Sequence, residues 1–137
     1  MRRSEQRREA VFGLYQHDVT GRPLDEALPR DAHAFTRALA QAVLDNGDEL
    51  DSVIGRHSHG WTIDRIAPLE RAIMRVALLE MLHPQAVPAE APIPPEGAID
   101  EAVATAKDFC GADAPGFVNG VLDAALRELR ENHSPRR

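Results

Sequence analysis

The chain carries a single cysteine, Cys110, so it cannot close an internal disulfide, which fits a reducing cytoplasm. Aromatic residues make up only 4% of the sequence, so the core must be assembled from Ala, Leu, Val and Ile. Runs of β-branched residues are scarce and no strand-type alternation or internal repeat occurs, which favours helices over sheet. No apolar run approaches the roughly 20 residues needed to cross a bilayer, and no signal peptide opens the chain. Lysine is nearly missing as well: Lys107 is the only one, and every other basic side chain except histidine is arginine. Arginine's planar fork suits phosphate and stacks on bases, although a GC-rich genome produces the same bias without any functional cause.

Signatures of catalysis are also lacking. The sequence has no glycine-rich phosphate loop and no Gly-x-Ser-x-Gly elbow. His57 and His59 are spaced so that a helix cannot present both on one face, and no cysteine cluster supplies further ligands, which argues against a metal. Cys110 sits in an apolar pattern at a helix end and reads as a small core residue. Neither an enzyme nor a cofactor is expected.

What is present is a 137-residue chain with 43% hydrophobic residues, enough for one domain with a real core. The expected class is all-α, a single domain over residues 1–132 followed by a disordered tail at 133–137. Ser4 is placed as the cap of a first helix that runs to about Val19 and turns Ala10, Val11, Leu14 and Tyr15 inward. Gly21-Arg22-Pro23 breaks it, and a short helical turn covers Leu24 to Leu28. Asp31 is placed as the cap of a helix through Phe35, Leu39 and Val43, interrupted at Asn46-Gly47 and resumed from Asp48 through Leu50, Val53 and Ile54. Trp61 is expected to fold back over the core. Pro68 suits the first turn of the next helix, whose inner face holds Ile73, Met74, Ala77, Leu78 and Met81. Half of the ten prolines fall between Pro84 and Pro95, a segment that must be an extended surface loop. A sixth helix spans about Glu96 to Cys110, with Gly111 expected as a left-handed cap, and Asp113-Ala114-Pro115 opens a last helix to about Glu131.

The net charge of −6 hides an asymmetry. In residues 1–9, Arg2, Arg3, Arg7 and Arg8 face only Glu5 and Glu9, a balance of +2, so the rest of the chain carries −8. A solvated basic end and a phosphate-binding end share that description.

Phe117-Val118-Asn119-Gly120-Val121-Leu122-Asp123 is the most pointed segment. Phe117, Val118, Val121, Leu122, Ala125, Leu126 and Leu129 recur at helical spacing. Asn119 and Gly120 nevertheless interrupt the pattern, and Gly alone costs a helix interior about 1 kcal/mol relative to Ala. Gly120 is assigned to close packing with a neighbour. Phe117 reads either as a core anchor or as an aromatic on which an unpaired base stacks.

Three segments together resemble the NusB family of bacterial transcription antitermination factors. They are Arg8-Glu9-Ala10-Val11-Phe12-Gly13-Leu14-Tyr15-Gln16, the stretch from Leu69 to Met81, and Ile99-Asp100-Glu101-Ala102-Val103 with Ala106-Lys107 and Phe109, followed by Phe117 to Asp123. The match runs from about Arg7 to Leu129 in the family's order. Asp100 stands where the family often has Asn, Leu79 where Tyr is common, and Ala114 where a capping Ser is usual, which leaves Asp113 to take over the cap. The Pro-rich loop is also longer than typical.

The resemblance implies seven helices in two small packed bundles. It also implies a protein that binds boxA RNA together with NusE, a small-subunit ribosomal protein, and joins the RNA polymerase antitermination complex on ribosomal RNA operons in the cytoplasm, away from any membrane. On that footing Arg2, Arg3, Arg7 and Arg8 become phosphate contacts, with Arg7 foremost, and Asp113, Phe117 and Asn119 join them on the RNA surface. Tyr15 and an exposed Glu80 fall on the NusE-binding face. Family members occur as monomers and dimers, so a homodimer that occludes the RNA surface is the competing expectation. A catalytic partner for an RNA-modifying enzyme is a more distant one.

Overall fold

The computed structural model describes residues 1–88 and 91–133, the last by its backbone only. Among the described residues there are seven α-helices, one 3₁₀ turn and no strand. The helices are α1 (Arg3–Thr20), α2 (Leu24–Ala27), α3 (Ala34–Asp45), α4 (Gly47–His57), α5 (Pro68–Leu82), α6 (Pro95–Phe109) and α7 (Ala114–His133), with the 3₁₀ turn at Ile63–Arg65. The final helix reaches His133, one residue into the expected tail; positions 134–137 lie outside the described residues.

Helix α5 organises the molecule. Pro68 occupies its first turn, where a missing N–H is harmless, and Ala67 ahead of it is extended as the residue before a proline prefers. Nine of its fifteen residues are buried, from Ala72 to Met81, so the helix is apolar on nearly every side. It packs against α1 and α3 on the one hand and α4, α6 and α7 on the other. The first group, α1 with α2 and α3, and the second, α6 with α7 and α4 with α7, are the two bundles that share α5. Leu78, Leu79 and Leu122 are completely buried, each worth about 2 kcal/mol of removed apolar surface.

Two glycines are required by the geometry. Gly21 ends α1 with φ 74° and donates its N–H to the His17 carbonyl at 3.0 Å, a left-handed cap that L side chains adopt reluctantly. Gly13 faces α2 so closely that a Cβ there would lie 2.4 Å from Leu28 Cδ2. A side chain at this position would force the buried Leu28 to move, so the α1–α2 corner packs best around glycine.

Several local expectations are corrected. Ser4 is not a cap: α1 begins at Arg3, with Arg2 in the capping position and no side chain bonded there. Gln6 holds this end instead, donating to the Met1 carbonyl at 2.9 Å and accepting from Arg3 at 2.8 Å. Asp31 does not cap α3 either, because a turn at Pro29 intervenes and the helix starts behind His33. Arg37 ties that turn down through the carbonyls of Pro29 and Arg30. Gly111 is not left-handed; Cys110, in extended conformation, ends α6. Gly120 admits no neighbour, since a Cβ there would meet nothing within 4 Å. Trp61 does not cover the core and remains 54% exposed.

Among the described residues the Pro-rich connection runs as a loop, apart from Pro95, which opens α6. Val87 is buried and Ile93 packs against the core. Alanine 89 and glutamate 90 lie outside the described residues.

Candidate nucleic-acid interface

The arginines of the basic end are one helical turn apart or adjacent, and that spacing sends them to different partners. Arg3 and Arg7 share a face of α1. The Arg3 guanidinium lies 4.2 Å from the Phe35 ring centroid, and that of Arg7 lies 5.3 Å from it. Arg7 also grips Glu80 with its fork, Nε to Oε1 at 2.8 Å and Nη2 to Oε2 at 3.0 Å. Glu80 is 9% exposed, so it is not the open carboxylate expected for partner binding. Its position on the core side of α5 and its bidentate bond to Arg7 explain why.

Arg8 is rotated round the helix toward the end of α6. There it pairs with Asp108 at 2.8 Å and lies 5.3 Å from the Phe109 ring centroid. Phe109 in turn meets Phe12 edge to face, centroids 4.9 Å apart, and stays 49% exposed. The sequence offered a signal for this pair, half-buried at Phe12 and exposed at Phe109: both phenylalanines sit off the inward stripe of their helices. Arg2 precedes the helix, is exposed and has no side-chain partner among the described residues. Of the four expected phosphate contacts, then, Arg2 is unengaged, Arg3 and Arg8 are engaged at the surface, and Arg7 is mostly committed to the fold.

A second feature lies between the 3₁₀ turn, the start of α5 and the start of α7. It is a groove of about 420 Å³ lined by Trp61, Arg65, Glu70, Asp113 and Phe117, with the Gly111–Ala114 segment along one side. Asp113 accepts the Phe117 N–H through its backbone carbonyl and so stands at the entry of α7. Phe117 is half-buried: it packs on the core and also faces this groove. The structure brings Asp113 and Phe117 together as expected, but not Asn119. Asn119 is exposed and does not line the groove, because residues two apart on a helix point to different sides. Tyr15, partly buried against the core, lies two turns of α1 beyond Arg7 and hence about 12 Å along the helix from the Arg7–Glu80 pair.

Trp61, Arg65 and Glu70 also line this groove, and the sequence alone did not bring them together. The turn that presents them is firmly held. Ser58, fully buried, donates to the Trp61 carbonyl at 2.8 Å, and the Trp61 N–H returns to the Ser58 carbonyl at 3.1 Å. Arg71 donates to the carbonyls of Ile63 and Ile66 and to Asp18. His59 and Gly60 both have positive φ, 51° and 88°, so a non-glycine residue is held left-handed just before the exposed indole. Glu70 has no hydrogen bond or ion pair among the described residues, and burial pushes its pKa up. The Cys110 thiol is raised too, by burial first and by the Glu70 charge second. Among the described residues no group of three or more His, Cys, Asp or Glu is arranged to hold a metal. His57 is instead bonded to Glu128 at 2.8 Å.

This geometry pairs a cationic helix end with exposed aromatics, the combination on which single-stranded nucleic acid is bound. A model of the NusB family matches residues 4–127. A transcription antitermination protein NusB from Rubrobacter xylanophilus is 40% identical over 131 residues, covering 91% of this chain and 90% of its own. Among solved structures, T. maritima NusB matches with a TM-score of 0.80 at 26% identity, covering 93% of this chain and 92% of its own. A chain from the complex of antitermination factors NusB and NusE with double-stranded RNA matches with a TM-score of 0.74 at 26% identity, covering 93% of this chain and 99% of its own.

Proposed function

The chain belongs to the NusB family, and from that premise we propose that it is a transcription antitermination factor that binds boxA-type RNA together with NusE and supports transcription of ribosomal RNA operons. The observation that carries the reading is the solved complex in which a chain of this fold is held with NusE and RNA. The molecule's own surface supports it. Arg2, Arg3 and Arg8 supply phosphate contacts at one end, and Phe117 with Asp113 supplies a base-facing element at the start of α7. The −8 remainder repels RNA elsewhere and attracts a basic ribosomal protein. The working assembly is one copy of this chain, NusE and nascent RNA on the polymerase, in the cytoplasm and without a catalytic step.

Arg7 and Glu80 enter this reading in altered roles. Their pair fixes α1 on α5 and thereby sets the position of the arginines around it. Tyr15 and the surface near it remain the proposed NusE contact, while Glu80 acts only through its pair with Arg7. The test is fluorescence anisotropy of a labelled boxA-type RNA against a scrambled RNA, with and without NusE. Preferential binding of the boxA-type RNA, tightened by NusE, is the expected result. No binding of either RNA at micromolar protein, with NusE present, overturns the proposal.

A further inference from the structure

We propose that the groove between the 3₁₀ turn and α7 is a slot for one unpaired nucleobase, in which Trp61 and Phe117 supply the stacking surfaces and Glu70 reads the base edge. This rests on the RNA-binding reading above and assigns it three further residues: Trp61, Arg65 and Glu70. The first support is that the two aromatics come from separate elements onto one groove. An exposed tryptophan costs solvation, yet the backbone that carries it is ordered: Ser58 and Arg71 bond its carbonyls on both sides, and His59 two residues before it is left-handed. Aromatic faces accept any base and are worth most when two are available.

The second support is charge. Arg65 is exposed and has no acidic partner among the described residues, whereas Glu70 and Asp113 line the same groove. Two carboxylates against one guanidinium repel a phosphate from the interior, so the backbone belongs at the Arg65 rim and the base inside. Glu70 is half-buried and unpartnered, an acceptor awaiting a donor. A carboxylate accepts two parallel N–H bonds well. Guanine alone offers two adjacent donors on its pairing edge, the ring N1–H and the exocyclic N2 amino group. Uracil offers one N–H flanked by carbonyl oxygens that a carboxylate repels. The slot therefore prefers guanine and disfavours uracil.

Trp61 is the only tryptophan in the chain, so its fluorescence reports this groove and nothing else. The experiment titrates the full-length protein with a mixed-sequence single-stranded RNA and with its inosine-for-guanine counterpart, reading tryptophan emission and the anisotropy of a fluorescein on the RNA in parallel. Expected are saturable quenching by the guanine RNA, about tenfold weaker binding by Trp61→Ala, and recovery to within about threefold by Trp61→Phe. Inosine, which lacks the N2 amino group, should weaken binding to the parent about fivefold, and Glu70→Gln should erase that difference. Normal anisotropy with unchanged emission, or Trp61→Ala binding like the parent, overturns the slot while RNA binding stands. No anisotropy change with either RNA overturns both. A change in emission produced by NusE alone, or by raising protein concentration with a doubled mass in light scattering, assigns the groove to a protein partner and overturns the slot as well.

Discussion

Replacing Arg7 with Ala should cost stability before it costs any binding. The Arg7 and Glu80 side chains are 14% and 9% exposed, and two bonds of 2.8 and 3.0 Å join them across α1 and α5. Removing one partner of a buried pair leaves an uncompensated charge and costs about 3–5 kcal/mol. Residual solvent access on both sides lowers the expectation to about 2–3 kcal/mol. For a domain of this size that is a fall in Tm of roughly 6–15 °C. Glu80→Ala should fall by a similar amount, since the guanidinium is then stranded beside Phe35. The double variant Arg7→Ala/Glu80→Ala should lose less than the two single losses added together, with a coupling of about 2 kcal/mol in a double-mutant cycle. Circular dichroism melts and urea titrations of the four proteins measure this. Single variants within about 2 °C of the parent, or strictly additive losses, would refute the claim that the pair fixes α1 on α5. The apolar swap Arg7→Met/Glu80→Leu should fold with near-parental stability. RNA affinity in that background then separates a direct Arg7 contact from its structural role.

The other expectations are more local. Gly13→Ala should destabilise by about 1–3 kcal/mol, because its Cβ collides with Leu28, while Gly120→Ala should stabilise by up to about 1 kcal/mol, as nothing opposes the better helix former; urea midpoints compare the two. Glu70, raised by burial, carries a penalty that grows as pH climbs above its unfolded pKa near 4.5 and is full above the raised folded value. Glu70→Gln should therefore be more stable than the parent at neutral pH and equal to it below pH 4.5, as read by Tm against pH. The Cys110 thiol should alkylate more slowly than a free thiol at pH 8, and faster in Glu70→Gln, because the second cause of its raised pKa is then gone. Glu128 is held below the usual carboxylate range by Arg56 first and His57 second, so its stabilising pair with them is complete above pH 4.5 and is lost as pH falls below it. Glu128→Gln should flatten that acid limb, and equal acid sensitivity of the two proteins would remove this pair from the account.

Helix periodicity carried most of the architecture. The inward faces of α5 and α7 were legible because Ile73, Met74, Ala77, Leu78 and Met81, and likewise Val118, Val121, Leu122, Ala125 and Leu126, recur at the spacing one helix face demands, and all are buried. Helix breaks at Gly21 and Asn46-Gly47 were legible for the same local reason. Caps were not: Ser4 and Asp31 have suitable side chains, but Gln6 and Arg37 hold those ends through bonds that depend on the neighbouring turn. Within the candidate interface, the basic cluster and the Phe117 segment could be found by composition and resemblance. Trp61 was misplaced because an isolated tryptophan between two helices is usually core, whereas here it sits on a turn whose backbone course is set by bonds from Ser58 and Arg71.

By itself, then, the sequence determined the all-α class, the helix faces, the basic end and the family, since each depends on spacing or composition along one stretch of chain. Only the tertiary structure decided which arginines are engaged. Arg7 reaches a glutamate 73 positions away, and nothing in α1 states that Glu80 will face it. The same holds for the groove, where Trp61, Glu70 and Phe117 meet because α5 and α7 pack together. Local patterns report what a residue does to its own helix; which charges and rings confront one another is set by how the helices pack.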